Sequence, residues 1–346
     1  MSVSPNNIVL YSSANMVSGD GVTTGGAVNF SSRVGFADVL TAGTMAWVSS
    51  SASDTAVTGI GVGRDSTGVI ISGSHTLNGT TPVSGAQTYQ RLLEGTISGS
   101  VVGDVGWIST STVLTGTAQG AGNTSGTVGP YITLAAGTAS GTALQQIVRI
   151  TNNVPSGVEY QMRRIVGTSG STDTVFVSED WTTVPTSGTT YEVHTGMLFE
   201  RSPNSVTNII RAFLNCVANA PGGSNLNFYS KVFAVNNNTA TALTNVSVTL
   251  ESTTPALPTG ATLQFGLTSG LNDTATVANR QTAPTGITFT TGSLPQTSGV
   301  PSPGNLPSGT APNTSGAEGV WFNLALDAGT QPFDGSASIQ ISGDTT

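Results

Sequence analysis

The sequence predicts a mostly β protein built from tandem antiparallel β-sandwich or barrel-like domains, with loops rich in Gly, Ser and Thr. Short runs in which Val, Ile, Phe and Tyr alternate with polar residues recur throughout the 346 residues, as in half-buried strands. The chain also contains 44 Gly and 16 Pro, and many of these residues separate the runs as turn signals. Because this length exceeds that of one ordinary domain, we expect two or three domains.

Residues 1–110 are predicted to form an N-terminal arm and a first β domain. The arm contains one strand-like run, formed by Ile8, Val9, Leu10 and Tyr11. No nearby run could pair with it as a hairpin, and an unpaired strand tends to add to the edge of another sheet. We therefore expect these four residues to contact a neighbouring subunit and to anchor the chain in an assembly.

The residues that follow the arm predict a hairpin. Two strand-like runs, 56–62 and 69–77, flank a turn at 64–68 that contains Asp and Gly. The glycines Gly61 and Gly63 give the stretch a superficial likeness to a phosphate-binding loop. That loop would need a Lys-Ser or Lys-Thr pair between a strand and a helix, and neither is present. We interpret the stretch as a hairpin turn.

Two segments of different character come next. Residues 111–142 are dominated by Thr, Gly, Ala and Ser, which bury little apolar area, so we expect a flexible linker or mobile surface loop. Residues 143–200 again contain apolar runs on turn spacing, which predict a small antiparallel β module. Its four runs are 146–150, 160–166, 174–177 and 191–194.

Residues 201–346 are predicted to form a C-terminal β-sandwich that folds alone and projects from the assembly, because they hold the largest apolar inventory. Six runs have sandwich-like spacing: 228–235, 246–250, 262–266, 286–289, 319–326 and 336–341. The segment 204–219 is ambiguous, since its apolar spacing fits a helical face while its Asn and β-branched residues fit a strand. We favour a strand there.

The charge content excludes several kinds of partner. The chain has only ten Lys or Arg and 18 Asp or Glu, with a formal net charge of −8. Nucleic acid binding requires clustered basic residues, and the one adjacent basic pair is Arg163–Arg164, so no nucleic-acid partner is predicted. No apolar stretch approaches the ~20 residues of a membrane span, and no secretory signal is recognisable. We therefore expect synthesis in the cytoplasm and no membrane partner.

Few residues could carry chemistry. His75 and His194 fall in different predicted units, and we interpret both as ordinary strand histidines. The single Cys216 excludes an internal disulfide framework and a Cys-based zinc site, and we expect it to be a buried apolar residue. Lys231, the one lysine, could in principle form an amide bond to an Asn in a neighbouring strand. No catalytic residue, cofactor or metal ligand is predicted.

One short stretch raises the question of a glycan partner. Glu179 and Asp180 form the one adjacent carboxylate pair that precedes a tryptophan, Trp181, whose ring could stack on a sugar. The alternative is that the acids cap a loop and that Trp181 lies in the core. We therefore regard these three residues as a candidate glycan contact, with loop capping and core packing as the alternative.

Three groups of residues resemble sequences common in structural proteins of tailed-bacteriophage particles. The first group comprises 48–54, 77–83 and 89–91. The second comprises 163–166, 175–177, 181–185 and Tyr191, and it resembles a small β module of phage head and tail proteins. The third comprises 228–233, 236–238, 271–274, 278–280, 283–286 and 319–321. The resemblance implies an antiparallel β protein on the virion, without catalytic residues to transfer.

This resemblance leads to a functional hypothesis. The chain is expected to be a non-enzymatic structural protein on the surface of a phage particle, as a capsid decoration or a collar, neck or tail accessory protein. Its partners would be other virion proteins and further copies of itself. The alternatives are a receptor- or glycan-binding fibre module of the virion, a polysaccharide-degrading tailspike, and a bacterial adhesin. A tailspike would need two carboxylates close together in a groove, and an adhesin would need a secretory signal.

Overall fold

The computed structural model describes most of the chain and confirms the predicted fold class. The described residues are 3, 5–16, 21–38, 42–125, 128–169, 171–201, 205–213, 224–254, 256–290, 299–331, 333 and 335–345. Strands account for 51% of the residues and helices for 2%, and several antiparallel sheets form a sandwich-like structure. The chain divides into two compact units, which are residues 1–3, 8–30 and 212–346 (unit 1) and residues 4–7 and 31–211 (unit 2).

The elements are short and follow one another closely. Two 3-10 helices span Pro5–Asn7 and Ala139–Gly141. The first twelve strands are β1 (Ile8–Asn15), β2 (Thr24–Val34), β3 (Gly43–Ser49), β4 (Thr58–Arg64), β5 (Ile70–Thr76), β6 (Val83–Tyr89), β7 (Arg91–Ser98), β8 (Val105–Ser109), β9 (Leu114–Thr117), β10 (Gly120–Gly122), β11 (Tyr131–Thr133) and β12 (Ile147–Ile150). The others are β13 (Met162–Ser169), β14 (Thr174–Val177), β15 (Thr190–His194), β16 (Gly196–Phe199), β17 (Asn208–Ile210), β18 (Leu226–Asn236), β19 (Leu243–Thr254), β20 (Ala261–Leu267), β21 (Thr276–Val277), β22 (Val300–Pro301), β23 (Ala317–Leu326) and β24 (Ser336–Thr345).

Unit 1 combines the C-terminal strands with the N-terminal ones. Its larger sheet has the order β20-β23-β18-β1-β2, and its smaller sheet has the order β22-β19-β24. Strand β1 pairs antiparallel with β18, with Tyr11 opposite Phe233. Val9 and Tyr11 are buried with Phe233 and Val235 in one core cluster. The N-terminal run is therefore a central strand of its own unit.

This pairing changes two sequence-based expectations. Ile8, Val9, Leu10 and Tyr11 were expected to lack a partner, but a distant strand of the same chain pairs with them. Local sequence could not reveal this partner, because more than 200 residues separate β1 from β18. The C-terminal strands were also expected to form a sandwich from 201–346 alone, whereas β1 and the start of β2 belong to the same compact unit and complete its sheet.

Unit 2 contains a sandwich in which a glycine strand packs on aromatic rings. One sheet consists of residues 31–34 of β2 followed by β17, β7, β4 and β5, and the other has the order β16-β8-β3-β6. A core cluster that includes Trp47, Trp107 and Phe199 lies between them. On β4, a Cβ added to Gly59 or Gly61 would lie 2.3 or 2.2 Å from a tryptophan ring atom. The glycines let the backbone of β4 lie directly on these rings.

A barrel-like sheet completes unit 2. Its order is β10-β11-β14-β13-β12-β15-β9. The two outermost strands, β9 and β10, are joined by residues 118–119 alone, so the sheet closes on itself around a core that contains Ile132, Trp181 and Tyr191. The segment 111–142, expected to be a linker or mobile loop, contributes three of these seven strands. The segment has few large apolar side chains, but Ala118, Ile132 and Leu134 are among those that it buries.

Two other regions can be compared with the sequence-based expectations, and one of them differs. The run 286–289 is not a strand, although Ile287 and Phe289 still pack on the core cluster of Tyr229. In the ambiguous segment 204–219, β17 is a short strand at Asn208–Ile210, which agrees with the favoured strand at these residues. Residues 214–219 of that segment, including Cys216, lie outside the described residues.

Candidate functional site

The basic residues are the first feature that the fold reveals, because most of them are not on the surface. Six of the ten are buried: Arg33, Arg149, Arg163, Arg164, Lys231 and Arg280. Three more are half-buried, and Arg201 alone is exposed. Burying a charge is costly unless acceptors surround it, so each of these side chains must be held by carboxylates, carbonyls or aromatic rings.

Six side chains of unit 2, five of them buried and one half-buried, converge between the barrel and the sandwich. Arg33 Nη1 lies 2.6 Å from Glu200 Oε2, and Arg164 Nη2 lies 3.5 Å from the same oxygen. Arg163 Nη1 lies 3.0 Å from Asp104 Oδ2 and 3.1 Å from Glu179 Oε1. We call these six residues the junction cluster. Strand β13 of the barrel supplies two arginines, and the sandwich supplies Arg33, Asp104 and Glu200.

The carboxyl groups of the junction cluster differ in pKa because their surroundings differ. Burial raises the pKa of Glu179 to about 9, and Arg163 opposes this shift only in part. Burial also raises the pKa of Asp104, which shares the Arg163 guanidinium. Burial acts in the same direction on Glu200, but Arg164 and Arg33 outweigh it and lower the net pKa. Burial therefore favours the protonated form of Glu179, whereas Arg164 and Arg33 favour the charged form of Glu200.

The candidate glycan residues have structural roles in this part of the barrel. Trp181 is 2% exposed, its Nε1 donates to the Tyr131 carbonyl, and its ring lies 5.3 Å from the Arg163 guanidinium carbon. Asp180 Oδ1 accepts hydrogen bonds from the backbone N and the hydroxyl of Thr124. Glu179 belongs to the junction cluster. Since the Trp181 ring is covered by protein, it cannot stack on a sugar, and the capping and core interpretation describes these residues.

The single lysine forms a second buried site, in unit 1. Lys231 Nζ lies 2.5 Å from Asp273 Oδ2 and donates to the carbonyls of Gly26 and Asp273 at 3.1 and 3.0 Å. It also lies 4.8 Å from the Phe233 ring centroid and 5.6 Å from that of Trp321. Burial lowers the pKa of Lys231, and Asp273 opposes the shift. The partner is an aspartate instead of the asparagine that the amide-bond interpretation required.

A buried glutamate lies elsewhere in unit 1. Glu318, on β23, is fully buried, and its carboxyl oxygens accept from the hydroxyls of Ser302 and Thr268. Burial raises the pKa of Glu318 to about 7, and these two hydrogen bonds oppose the rise. The two hydroxyls connect Glu318 on β23 with two loops, so the group is positioned to hold the strand and these loops together.

Both histidines lie in strands, as the sequence indicated, but they belong to one compact unit instead of two. His75 lies on β5 and His194 on β15, in different sheets of unit 2. His194 Nδ1 lies 2.9 Å from the Ser109 carbonyl and its Nε2 lies 3.2 Å from Glu192 Oε2. Burial lowers the pKa of His194. Among the described ranges, no group of three or more His, Cys, Asp or Glu side chains is placed to hold a metal ion.

The glycine stretch that resembled a phosphate loop belongs to a hairpin. Gly61 and Gly63 lie within β4, and the turn itself is at residues 65–68, where Gly68 N donates to the Asp65 carbonyl. Asp65 Oδ1 also accepts from the amides of Thr67 and Val69. The two glycines are thus strand residues that approach aromatic rings, which the turn interpretation did not anticipate.

The most exposed long strand is β24. It lies at the end of the smaller sheet of unit 1 and pairs with β19 along one side. Eight of its ten residues are exposed, while Ile339 and Ile341 are half-buried. Its one charged residue is Asp344, and it contains no Pro. Edge strands that must remain free usually carry Lys, Pro or bulges, so this edge is suited to pairing with another chain.

Comparisons with known proteins add no relative. No family model matches the chain, and neither a curated protein nor a solved structure matches it. Within the residues that the structure describes, no helix is long and apolar enough to cross a membrane.

The sequence alone could not identify the junction cluster. Arg33, Asp104 and Glu200 are separated from one another by about 70 or more residues, and none of them is part of a recognisable motif. One signal was available. Arg33 lies within an alternating strand-like run and Glu200 directly follows the apolar run 196–199. Charged residues are mostly exposed and are fully buried only when paired, so this signal was weak.

Proposed function

We propose that this chain is a non-enzymatic structural protein of a tailed-phage particle, present in multiple copies and held by protein–protein contacts. It acts on the particle surface, as a capsid decoration or as a collar, neck or tail accessory protein. The observation that carries the proposal is the distribution of basic side chains. With six of ten buried and Arg201 alone exposed, the surface has little capacity for ionic contacts. Contacts with neighbours then depend on strand edges, hydroxyl groups and apolar burial.

The groups that could act in catalysis support the same proposal by their positions. Glu179, Asp104 and Glu200 are held by arginines in the junction cluster. Lys231 is held by Asp273 and backbone carbonyls. These contacts stabilise the fold and leave the reactive atoms covered. The glycan-binding alternative depended on Trp181, whose ring packs inside the barrel.

The test uses particles of a phage that encodes the chain. After gradient purification, mass spectrometry and antibody labelling should find the chain on the particle surface in multiple copies. Washing with ~1 M NaCl should not release it, because salt at that concentration screens ionic contacts and leaves main-chain hydrogen bonds and apolar burial in place. A wash with ~6 M urea is the positive control for release. Recovery of the chain only in the soluble fraction of the lysate would refute the proposal.

A further inference from the structure

Strand β24 reads almost the same in both directions around Gln340. The residues on either side of it are Ile339 and Ile341, and then Ser338 and Ser342. Ala337 and Gly343, both small, come next. Residues at equal distances from the centre of a strand meet when that strand pairs antiparallel with a copy of itself about a twofold axis. The sequence of β24 is therefore suited to pairing with its own copy.

Among the described residues, the outer edge of β24 between Ala337 and Gly343 has no strand beside it and is open to such pairing. The sheet order ends with β24. The β19–β24 ladder has two register shifts, between Thr244 and Ser247 and between Leu250 and Ser252. In both, the additional residue is on β19. The irregularities therefore fall on the inner strand, and β24 itself stays regular.

We propose that two copies of this chain pair through β24, antiparallel and in the register that places Gln340 opposite Gln340 of the second copy. Ile339 then lies beside Ile341 of the second copy, and Ser338 lies beside Ser342 of the second copy. The two smaller sheets join into one six-stranded sheet. Main-chain hydrogen bonds hold the new ladder, as in other cases of strand addition.

The charges and side chains of the strand agree with this register. Asp344 is four residues from the centre and lies opposite Ser336 of the second copy, so the two aspartates do not meet. Alternation along the strand places Ile339 and Ile341 on one face and Ser338, Gln340 and Ser342 on the other. The dimer therefore extends an apolar row on one face and a hydroxyl and amide row on the other. Aligned apolar pairs and hydroxyl pairs stabilise neighbouring strands.

Cysteine cross-linking of the full chain tests the register, in a background in which Cys216 is changed to Ser. Residues directly opposite have Cβ atoms about 4.5–5.5 Å apart, within reach of oxidative cross-linking after small adjustments. Gln340→Cys should therefore give a covalent dimer on oxidation. Ser338→Cys alone places the two thiols four residue positions apart, about 13 Å, and should give none. The Ser338→Cys/Ser342→Cys double variant should cross-link again.

A charge-pattern experiment tests the pairing without new covalent bonds. Sedimentation equilibrium of the wild-type chain should show a monomer–dimer equilibrium. Ser338→Lys/Ser342→Lys places like charges opposite each other at two positions and should weaken dimerisation at least tenfold. Ser338→Lys/Ser342→Glu changes the same exposed positions but pairs opposite charges and should restore the dimer. Circular dichroism spectra should be the same for all three proteins, which shows that unit 1 stays folded.

Several outcomes would overturn the inference. They are a wild-type chain that is monomeric at ~100 μM, a dimer that the double lysine variant leaves intact, and cross-linking of Ser338→Cys as efficient as that of Gln340→Cys. Capture of a strand from a different protein by a monomeric chain would also contradict self-pairing. These measurements use the purified chain, so their failure would leave the proposed role on a particle to be judged by the particle experiment alone.

Discussion

Gly61 shows how a single residue type determines the packing of the sandwich in unit 2. Its α-carbon faces Trp107, and an added Cβ would lie 2.2 Å from the Trp107 ring. The neighbouring positions Gly59 and Gly63 face Trp47 and Tyr89 in the same way. A strand with glycine at every second position is intrinsically weak, but here the rings take the volume that side chains would occupy.

Gly61→Ala should destabilise unit 2, because the methyl group forces Trp107 out of its position in the core. Overpacking of this kind costs roughly 1–3 kcal/mol, so we expect the melting temperature measured by calorimetry to fall by at least about 2 °C in a unit of this size. Gly120→Ala is the matched control, since nothing lies within 4 Å of its added Cβ. Equal stability of the two variants would show that Trp107 adjusts without cost.

Burial of the Glu179 carboxyl group makes the stability of the fold depend on pH. Its pKa in the folded chain is raised to about 9, whereas an unfolded glutamate titrates near 4.3. Below the unfolded pKa both states are protonated, so the contribution of Glu179 to stability is fully present and does not change with pH. Between the two pKa values the unfolded chain loses the proton that the folded chain keeps, so the contribution of proton binding to stability is lost as pH rises.

Glu179→Gln should remove this dependence, because glutamine imitates the protonated acid. We expect the variant to gain stability relative to wild type between pH 5 and pH 8, measured as the difference in urea midpoint at each pH. Glu159→Gln, which neutralises a carboxylate outside the junction cluster, is the control and should not change the pH profile in this way. Parallel pH profiles for wild type and Glu179→Gln would contradict the proposed protonation state.

At the scale of elements, strands β9, β10 and β11 decide whether the barrel closes. They come from a stretch dominated by small and hydroxyl residues, yet its backbone amides bond to the barrel. Ala118 N donates to Thr189 O at 2.8 Å, and Gln119 N donates to Thr133 O at 2.9 Å. Strand β9 pairs with β15, and β11 lies between β10 and β14. Main-chain hydrogen bonds thus hold a segment that contributes few apolar side chains.

Amide hydrogen exchange should detect this closure. We expect the amides of Val113, Ala118, Gln119 and Leu134 to exchange slowly, at rates near those of β12, because each donates to a backbone carbonyl of the barrel at 2.7–2.9 Å. Mass spectrometry of peptides from 112–122 and 131–136 measures the rate of this exchange. Exchange of these peptides at the rate of an unstructured chain would show that the segment is a mobile loop in solution.

At the scale of the whole molecule, the two units are discontinuous in sequence. The N-terminal strand β1 and the first part of β2 belong to unit 1 with the C-terminal strands, and unit 2 is formed by the residues between them. All six residues of the junction cluster belong to unit 2. Unit 1 therefore depends on residues from both ends of the chain.

Two fragments test this organisation. Residues 31–211 should fold alone, because they contain the sandwich core, the barrel core and the junction cluster. Residues 212–346 alone should not fold, because Val9 and Tyr11 are missing from the cluster of Phe233 and Val235. Adding residues 8–30 through a flexible linker should restore cooperative unfolding. A cooperative transition of 212–346 without β1 would show that the N-terminal strand is dispensable.

Much of the fold was predictable from the sequence because strand formation and turns depend on local patterns. Alternating apolar residues predicted β12 to β15, most of β18 and β23, and the β4–β5 hairpin with its Asp65 turn. The alternation of side chains was enough to predict that these segments are strands. The strands of 114–133 were missed, because glycine- and threonine-rich sequences have little apolar pattern even when their backbones are fully paired. Strand β16 was missed although its sequence is apolar, because a continuous run of four residues shows no alternation.

The same distinction between local patterns and distant contacts applies to the candidate sites. The scarcity of charge, the lone lysine and the palindrome of β24 are properties of the sequence itself. Only the tertiary structure decided that Lys231 meets Asp273, that Arg33 meets Glu200 and that Tyr11 lies beside Phe233. Strand pairing between distant segments depends on closing long loops and burying shared apolar faces, which are energies of the whole chain. No local pattern contains that information. The composition therefore determined that the chain has few charges, and the fold determined where those charges lie.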